Sequence, residues 1–236
     1  MNLSAPIYRL KRKARMLARE SKLPLHAALD RISHDEGFQG WSHLTAAIAR
    51  QHPASEIWGK LGPGDLVLLG ARPGQGKTLL GLELTRLALA AGRPAYFFTL
   101  EDSEQIVTER LHALGANASP IGARLSIDAS DFICAAHIIE KVGDTRGAMI
   151  VIDYLQLLDQ QRRLPDLASQ IGTLKSFAGK TGAIVVALSQ IDRRFDASGR
   201  SLPTRSDVRL PNPLDLALFS KACFIHQGVA RFDGPG

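Results

Sequence analysis

From Asp65 onward, short apolar runs alternate with longer amphipathic stretches, and this alternation predicts the fold class. The runs are apolar throughout, which is typical of strands that are buried on both faces of a parallel sheet. The predicted strands are Leu66–Leu69, Ala95–Leu100, Ala148–Asp153, Ile184–Ser189, Ala222–His226 and a shorter one at Arg124–Ile127. The predicted helices between them are Lys77–Ala91, Ser103–Leu114, Asp131–Val142 and Leu164–Lys180. We therefore predict an α/β fold with a mainly parallel sheet covered by helices on both faces.

The residues before this region show a helical pattern instead. Apolar positions at helical spacing occur in residues 4–20, at Ile7, Leu10, Ala14 and Leu17. Pro24 predicts the start of a second helix, and Trp41–Arg50 is predicted to form a third. We predict two parts, a basic helical segment at 1–52 and an α/β domain at 53–236.

The net charge of +6 is concentrated near the start of the chain. Residues 1–50 contain 9 Lys and Arg against 4 Asp and Glu, whereas the remaining residues contain 20 against 19. A basic segment of this kind indicates an anionic partner, most simply nucleic acid, or else a helix face that is only solvated. The sequence alone favours neither interpretation.

Composition is typical of a cytoplasmic protein. No apolar run is long enough to span a membrane, and the basic start lacks the apolar stretch of a secretory signal. Cys134 and Cys223 stand in apolar surroundings without metal-ligand spacing, which favours buried thiols in a reducing compartment over a disulfide or a metal site.

The most specific motif lies between the first α/β strand and the helix that follows it. Ala71-Arg-Pro-Gly-Gln-Gly-Lys-Thr78 is a glycine-rich turn that ends in a lysine and a hydroxyl residue. Backbone N–H groups of such a turn, together with the positive end of the helix, form a cradle for phosphate groups. We predict a nucleoside triphosphate site whose binding residues are Arg72, Pro73, Gly74, Gln75, Gly76, Lys77, Thr78 and Leu79.

Three polar residues end predicted strands, and in a parallel sheet these ends lie beside the phosphate turn. Asp153 ends an apolar run, and we expect it to hold Mg²⁺ with the hydroxyl of Thr78. Glu101 could take a proton from the water that attacks the γ-phosphate, unless Asp102 caps the next helix and Glu101 is only exposed. Gln190 could hydrogen-bond the terminal phosphate, although spacing alone favours a polar strand end without a role in phosphate binding.

Arginines are frequent in two segments that follow predicted strands. They are Arg162, Arg163, Arg193, Arg194, Arg200, Arg205 and Arg209. Five of them lie in the predicted irregular stretch Asp192–Pro213, whose length is typical of a functional or disordered loop. Such arginines could contact a DNA backbone, complete a neighbouring subunit's ATP site, or simply be solvated.

Several of these motifs together resemble the C-terminal ATPase domain of DnaB-type replicative helicases, within the RecA-like group of P-loop ATPases. The residues that carry the resemblance are Ala71–Thr78, Phe98–Glu101, Val151–Leu157, Ala187–Gln190 and, more weakly, Ser206–Arg209. The chain departs from the family pattern at Leu210-Pro-Asn-Pro213, and short basic helices stand in place of the family's collar domain.

The resemblance implies a function and a set of partners. It implies a RecA-like fold, ATP and Mg²⁺ as ligands, a homo-oligomeric ring, most simply a hexamer, and single-stranded DNA held by loops in the pore. It also implies that Lys77 and Thr78 bind phosphate and Mg²⁺, Glu101 activates water, Asp153 assists Mg²⁺, and Gln190 senses the γ-phosphate. We expect an ATP-dependent, DNA-associated motor.

Other functions are compatible with the same cradle. A related ATPase could act as a DNA- or protein-binding switch without unwinding, and a degenerate domain could bind nucleotide without turnover. A small-molecule kinase is disfavoured because Glu101 and Gln190 suit water as the nucleophile better than an alcohol.

Overall fold

The computed structural model describes residues 3–5, 7–44, 53–116, 124–159, 164–210 and 212–233. The chain divides into two compact units, Met1–His52 and Pro53–Gly236. Among the helices that the described residues form, none has the length and apolar character needed to cross a lipid bilayer.

The first unit is helical. Helix α1 spans Ile7–Glu20, α2 spans Leu25–Asp35, and residues 41–44 are again helical. A small core is formed by Leu10, Ala14, Ala28, Ile32 and Leu44. The remainder of the predicted third helix, residues 45–50, lies outside the described residues.

The second unit is built on one seven-stranded sheet. The strands are β1 Leu66–Ala71, β2 Ala95–Thr99, β3 Leu125–Asp128, β4 Met149–Asp153, β5 Ile184–Gln190, β6 Lys221–His226 and β7 Val229–Asp233. Their order is β3-β2-β4-β5-β1-β6-β7, and all neighbours are parallel except β6 and β7. Strands β1, β4 and β5 are central and almost wholly buried, which explains why their sequences are apolar at consecutive positions.

Helices cover both faces of this sheet and create two cores. The helices are α3 Ala54–Gly59, α4 Lys77–Ala90, α5 Glu104–Ala113, α6 Ala135–Val142 and α7 Leu167–Thr181. Side chains of α3, α4 and α5 pack with those that point to one face of the sheet, such as Val67 and Leu69. Side chains of α6 and α7 pack on the other face with Leu66 and Leu68. The predicted α/β class, with a mainly parallel sheet covered on both faces, is confirmed.

The structure also corrects several predicted elements. The helix predicted at Asp131–Val142 begins only at Ala135, because Cys134 has an extended backbone and ends the preceding turn. Strand β7 was not predicted; it follows a tight turn at Gln227 and Gly228, both of which have positive φ. Helix α3 was not predicted either, since its six residues are too few to show a periodic pattern.

The segment predicted as irregular, Asp192–Pro213, is partly ordered into short helical turns. Residues Arg193–Ala197 and Arg205–Asp207 form 3₁₀ turns, and Ile191 forms an antiparallel bridge with Val208. Phe195 is buried in the core of the second unit. The described part of this segment is therefore packed against the domain at both ends.

Candidate nucleotide-binding and catalytic site

The glycine-rich turn connects β1 to α4 at the carboxyl end of the sheet. Gly76 occupies the N-cap position of α4 with a left-handed backbone (φ 89°), and no side chain caps the helix start. The N–H groups of the first helical turn therefore carry the helix's partial positive charge without a side-chain acceptor, which suits an anionic ligand.

A glycine is also required just before this turn. A Cβ atom on Gly70 would lie 2.7 Å from the Phe224 ring and 2.9 Å from Ile191 Cδ1. Gly70 therefore leaves room for the side chains of Phe224 and Ile191 to lie over the end of β1. This contact explains the glycine at position 70. The usual motif begins with a glycine at the position that Ala71 occupies in this chain.

Lys77 is the centre of a charged cluster at this edge of the sheet. Its Nζ donates to Asp153 Oδ1 at 2.8 Å and to Glu101 Oε2 at 3.2 Å. Lys77 is 7% exposed and Asp153 is fully buried. The ammonium also lies 5.3 Å from the centre of the Tyr154 ring. Three residues from separate parts of the sequence, each predicted as a site residue, thus meet at one point.

The topology of the sheet produces this convergence. Strand β2 is hydrogen-bonded to β4 with Thr99 opposite Asp153, so that Glu101, two residues beyond the end of β2, lies at the same edge of the sheet as Asp153. Thr99 Oγ1 accepts a hydrogen bond from the Glu101 backbone N–H at 3.0 Å, which fixes the chain where it leaves β2. Asp153 is thus positioned by its strand, and Glu101 by the bend that follows β2.

Asp153 retains one carboxylate oxygen that could bind a further ligand. Its Oδ2 is buried and has no hydrogen-bond partner among the described residues. A buried carboxylate oxygen without a partner is costly, and a hard cation is a suitable ligand for it. Thr78, half-buried, follows Lys77 at the start of α4. The described residues contain no cluster of three or more His, Cys, Asp or Glu with metal-site geometry.

Glu101 is the accessible member of the cluster. Its side chain is 39% exposed, whereas those of Lys77 and Asp153 are 8% and 0% exposed. The alternative that Asp102 caps the next helix is wrong, because Ser103 is the N-cap of α5 and Asp102 pairs with Arg110. Glu101 can therefore contact both the buried lysine and a water molecule from solvent.

Gln190 ends β5 directly beside the phosphate turn, in register with Ala71 of β1. Its backbone carbonyl accepts a hydrogen bond from the Arg209 N–H at 2.8 Å. The Gln156 amide nitrogen donates to the Arg209 carbonyl at 2.6 Å and lies 3.3 Å from Ser189 Oγ. The end of β5 is thus tied to Arg209, which closes the arginine-bearing segment.

The other end of that segment is tied to the phosphate turn itself. Arg72 forms a two-point ion pair with Asp196, with Nε–Oδ1 and Nη2–Oδ2 distances of 3.0 and 2.8 Å. Its Nη1 also donates to the Ile191 carbonyl at 2.9 Å. Sequence reasoning missed Asp196, Gln156 and Tyr154: the last two lie inside the recognised motif Val151–Leu157, but no local signal assigns a contact to Asp196.

The arginines predicted to bind DNA differ in their surroundings. Arg193 and Arg194 are exposed in the first 3₁₀ turn, and Arg209 is also exposed. Arg200 pairs with Asp207, and half-buried Arg205 donates to the Leu216 carbonyl. Arg162 and Arg163 lie outside the described residues, as does Pro211.

Comparison with known proteins shows which family the sequence resembles. The family model for the DnaB-like helicase C terminal domain matches residues 121–212. The replicative DNA helicase DnaB of Haemophilus influenzae is 30% identical over 198 residues, which cover 67% of this chain and 42% of that protein. DnaB of Pasteurella multocida is 25% identical over 241 residues, which cover 83% of this chain and 50% of that protein. The chain spans about half the length of these relatives.

Solved structures show the same fold. The ATPase domain of G40P superposes with a TM-score of 0.58 at 20% identity, and 71% of each chain is covered. A DnaB-like replicative helicase, solved in a study of its interactions with primase, gives a TM-score of 0.59 at 17% identity over 94% of this chain and 67% of that chain. The fold is RecA-like, and the predicted resemblance to the C-terminal ATPase domain of DnaB-type helicases is confirmed.

Proposed function

We propose that this protein is an ATP hydrolase of the DnaB-like helicase type, which couples ATP hydrolysis to movement of DNA-contacting loops. One observation carries the proposal: the phosphate-turn lysine, Lys77, lies within 3.2 Å of the carboxylates of Asp153 and Glu101. A phosphate-binding cation, a buried carboxylate and an accessible carboxylate at one strand edge are the groups that triphosphate hydrolysis requires.

The triphosphate would bind on the turn between β1 and α4, with residues 72–79 around it. Lys77 would exchange its contacts with the two carboxylates for contacts with the β- and γ-phosphates. This exchange keeps the ammonium paired in both states, so that its charge is never buried alone. It also releases Glu101, which is then able to accept a proton.

Asp153 and Thr78 would hold Mg²⁺, and the unpartnered Asp153 Oδ2 supports this assignment. A magnesium ion held by these two residues would need further oxygen ligands, which the triphosphate and water would supply. When bound, the ion supplies positive charge that stabilises the phosphate oxygens during transfer.

Glu101 would act as the general base. Its carboxylate takes a proton from the attacking water as the water oxygen bonds to the γ-phosphorus and the bond to the β-phosphate oxygen breaks. Gln190, beside the turn, would hydrogen-bond the γ-phosphate and lose that contact after hydrolysis. Lys77 neutralises charge on the phosphate oxygens during the transfer.

The bridges at the two ends of the 191–209 segment would transmit the nucleotide state. Arg72 joins the phosphate turn to Asp196, and Gln156 joins the segment after β4 to Arg209. A shift of the turn or of Gln190 would therefore move Arg193 and Arg194, which we place on single-stranded DNA. In a homo-oligomeric ring, most simply a hexamer, one of these exposed arginines would instead complete a neighbour's site.

A strand-displacement assay tests the function. The protein is incubated with a forked DNA duplex, ATP and Mg²⁺, and the released strand is measured against a reaction with ADP. We expect ATP-dependent release together with ATPase activity that single-stranded DNA stimulates. DNA-stimulated ATPase without release at any protein concentration would favour the alternative, a DNA-binding switch; no ATPase at all would contradict both.

A further inference from the structure

We infer that the exposed face of α1 is a second DNA-binding surface, which contacts the phosphodiester backbone independently of the nucleotide site. The basic face consists of Lys11, Arg12, Arg15 and Arg19, all of them exposed. Leu10 and Ala14, on the opposite side of the same helix, are fully buried in the core of the first unit. The helix is thus held by its apolar side and presents its cations outward.

This helix and the turn after it account for the whole net charge of the chain. Residues 7–22 contain seven Lys and Arg against one acidic residue, Glu20, a net of +6 that equals the net charge of all 236 residues. The rest of the chain is balanced. The net charge is therefore a local feature of this helix and the turn after it, and not a general property of the protein.

Two of the three acidic residues elsewhere in the first unit, Asp30 and Glu36, are engaged in local structure. Asp30 Oδ1 accepts a hydrogen bond from the Trp41 N–H at 2.8 Å. Glu36 accepts hydrogen bonds from the Ser4 backbone N–H and hydroxyl. These bonds, and to a smaller extent the charge of Lys13, keep the pKa of Glu36 below its usual range. None of the four basic-face cations forms an ion pair with a residue that the structure describes.

The spacing along the helix favours an extended polyanion as the partner. Lys11, Arg15 and Arg19 recur every four residues, so that they form one row along the helix. Like charges at this spacing repel each other in the free protein, and a row of phosphates relieves that repulsion. A membrane surface fits less well, because an interfacial helix needs an exposed apolar stripe, and the apolar side of α1 is used by the core.

The test compares two variants of the full-length protein. One variant neutralises the basic face through Arg12→Gln, Arg15→Gln and Arg19→Gln. The charge-matched control carries Arg146→Gln, Lys175→Gln and Lys180→Gln, which are exposed positions of the second unit. Binding of a fluorescent single strand and of the corresponding duplex is measured without nucleotide as a function of salt concentration.

We expect the basic-face variant to bind DNA at least about tenfold more weakly at 0.1 M salt than the control. The magnitude of the slope of log K, where K is the association constant, against log salt concentration should fall by about 2 for the single strand and about 3 for the duplex. Each lost phosphate contact reduces it by about 0.7 for a single strand and by about 0.9 for a duplex. Arg12→Lys, Arg15→Lys and Arg19→Lys together should restore the slope, because the charge is retained.

Equal slopes for the two Gln variants would overturn the inference. Binding to vesicles of anionic phospholipid would also overturn it under two conditions. The wild type would have to bind the vesicles as strongly as DNA, and the basic-face variant would have to lose vesicle binding to the same extent as DNA binding. Failure of the proposed ATPase is distinguishable from either result, since this binding is measured without ATP and does not involve Lys77 or Glu101.

Discussion

At the scale of single residues, we expect the pair of Lys77 and Asp153 to have both a structural and a functional role. Asp153 is fully buried, and its Oδ1 accepts a 2.8 Å hydrogen bond from Lys77 Nζ. A buried charge that loses its partner is strongly destabilising, whereas removal of both charges together is often tolerated. The lysine is therefore expected to support folding as well as phosphate binding.

Lys77→Met should lower the free energy of unfolding by about 3–5 kcal/mol, because it leaves the Asp153 carboxylate buried without its cation. The double variant Lys77→Met, Asp153→Asn should recover most of this loss and still fail to bind ATP. Urea denaturation and calorimetric ATP titration measure the two effects separately. If Lys77→Met were as stable as the wild type, the buried Asp153 carboxylate would not depend on Lys77 to compensate its charge.

At the scale of secondary-structure elements, the segment from Ile191 to Arg209, which follows β5, is anchored near both of its ends. Arg72 holds Asp196 near its start, and Gln156 holds the Arg209 carbonyl near its end. The antiparallel bridge between Ile191 and Val208 joins these two ends. The segment is a loop with fixed ends, so that a change in the phosphate turn has a direct path to the exposed arginines.

Asp196→Asn should uncouple this path, because a neutral amide cannot form the two-point ion pair with Arg72. We expect stimulation of the ATPase by single-stranded DNA to fall at least about fivefold, which corresponds to about 1 kcal/mol of coupling, while ATPase without DNA changes little. Asp144→Asn, the same substitution at an exposed position in the second unit, is the control. Equal stimulation in both variants would contradict the assigned coupling.

Prediction from sequence succeeded for elements whose pattern is local. The central strands β1, β4 and β5 are buried on both faces, so their apolar runs identified them and Asp153 at the end of one. The start of α6 was missed because Asp131 to Cys134 carry no helix-breaking residue, although the chain is still in a turn there. Strand β7 was missed because only its pairing with β6 makes it a strand.

At the scale of the whole molecule, the sequence predicted the convergence of Lys77, Glu101 and Asp153 but not the contacts around it. The carboxyl ends of parallel strands meet at one edge by topology alone, and this rule predicts that the three residues lie close together. The Arg72–Asp196 pair joins residues 124 positions apart. Such a contact depends on how the loop packs, which composition and periodicity do not encode.

The two units also divide the charge of the molecule between them. Helix α1 carries the excess of cations, while the second unit is close to neutral. This division predicts two separable activities, nucleotide turnover in the second unit and salt-sensitive DNA binding by the first.

The most direct test of the central claim is phosphate release by Glu101→Gln compared with the wild type, at saturating ATP and Mg²⁺ with single-stranded DNA present. If Glu101 is the general base, the variant binds ATP with an affinity close to that of the wild type and releases phosphate at least about a hundredfold more slowly. Phosphate release at the wild-type rate would contradict the assignment of this cluster as the site of ATP hydrolysis.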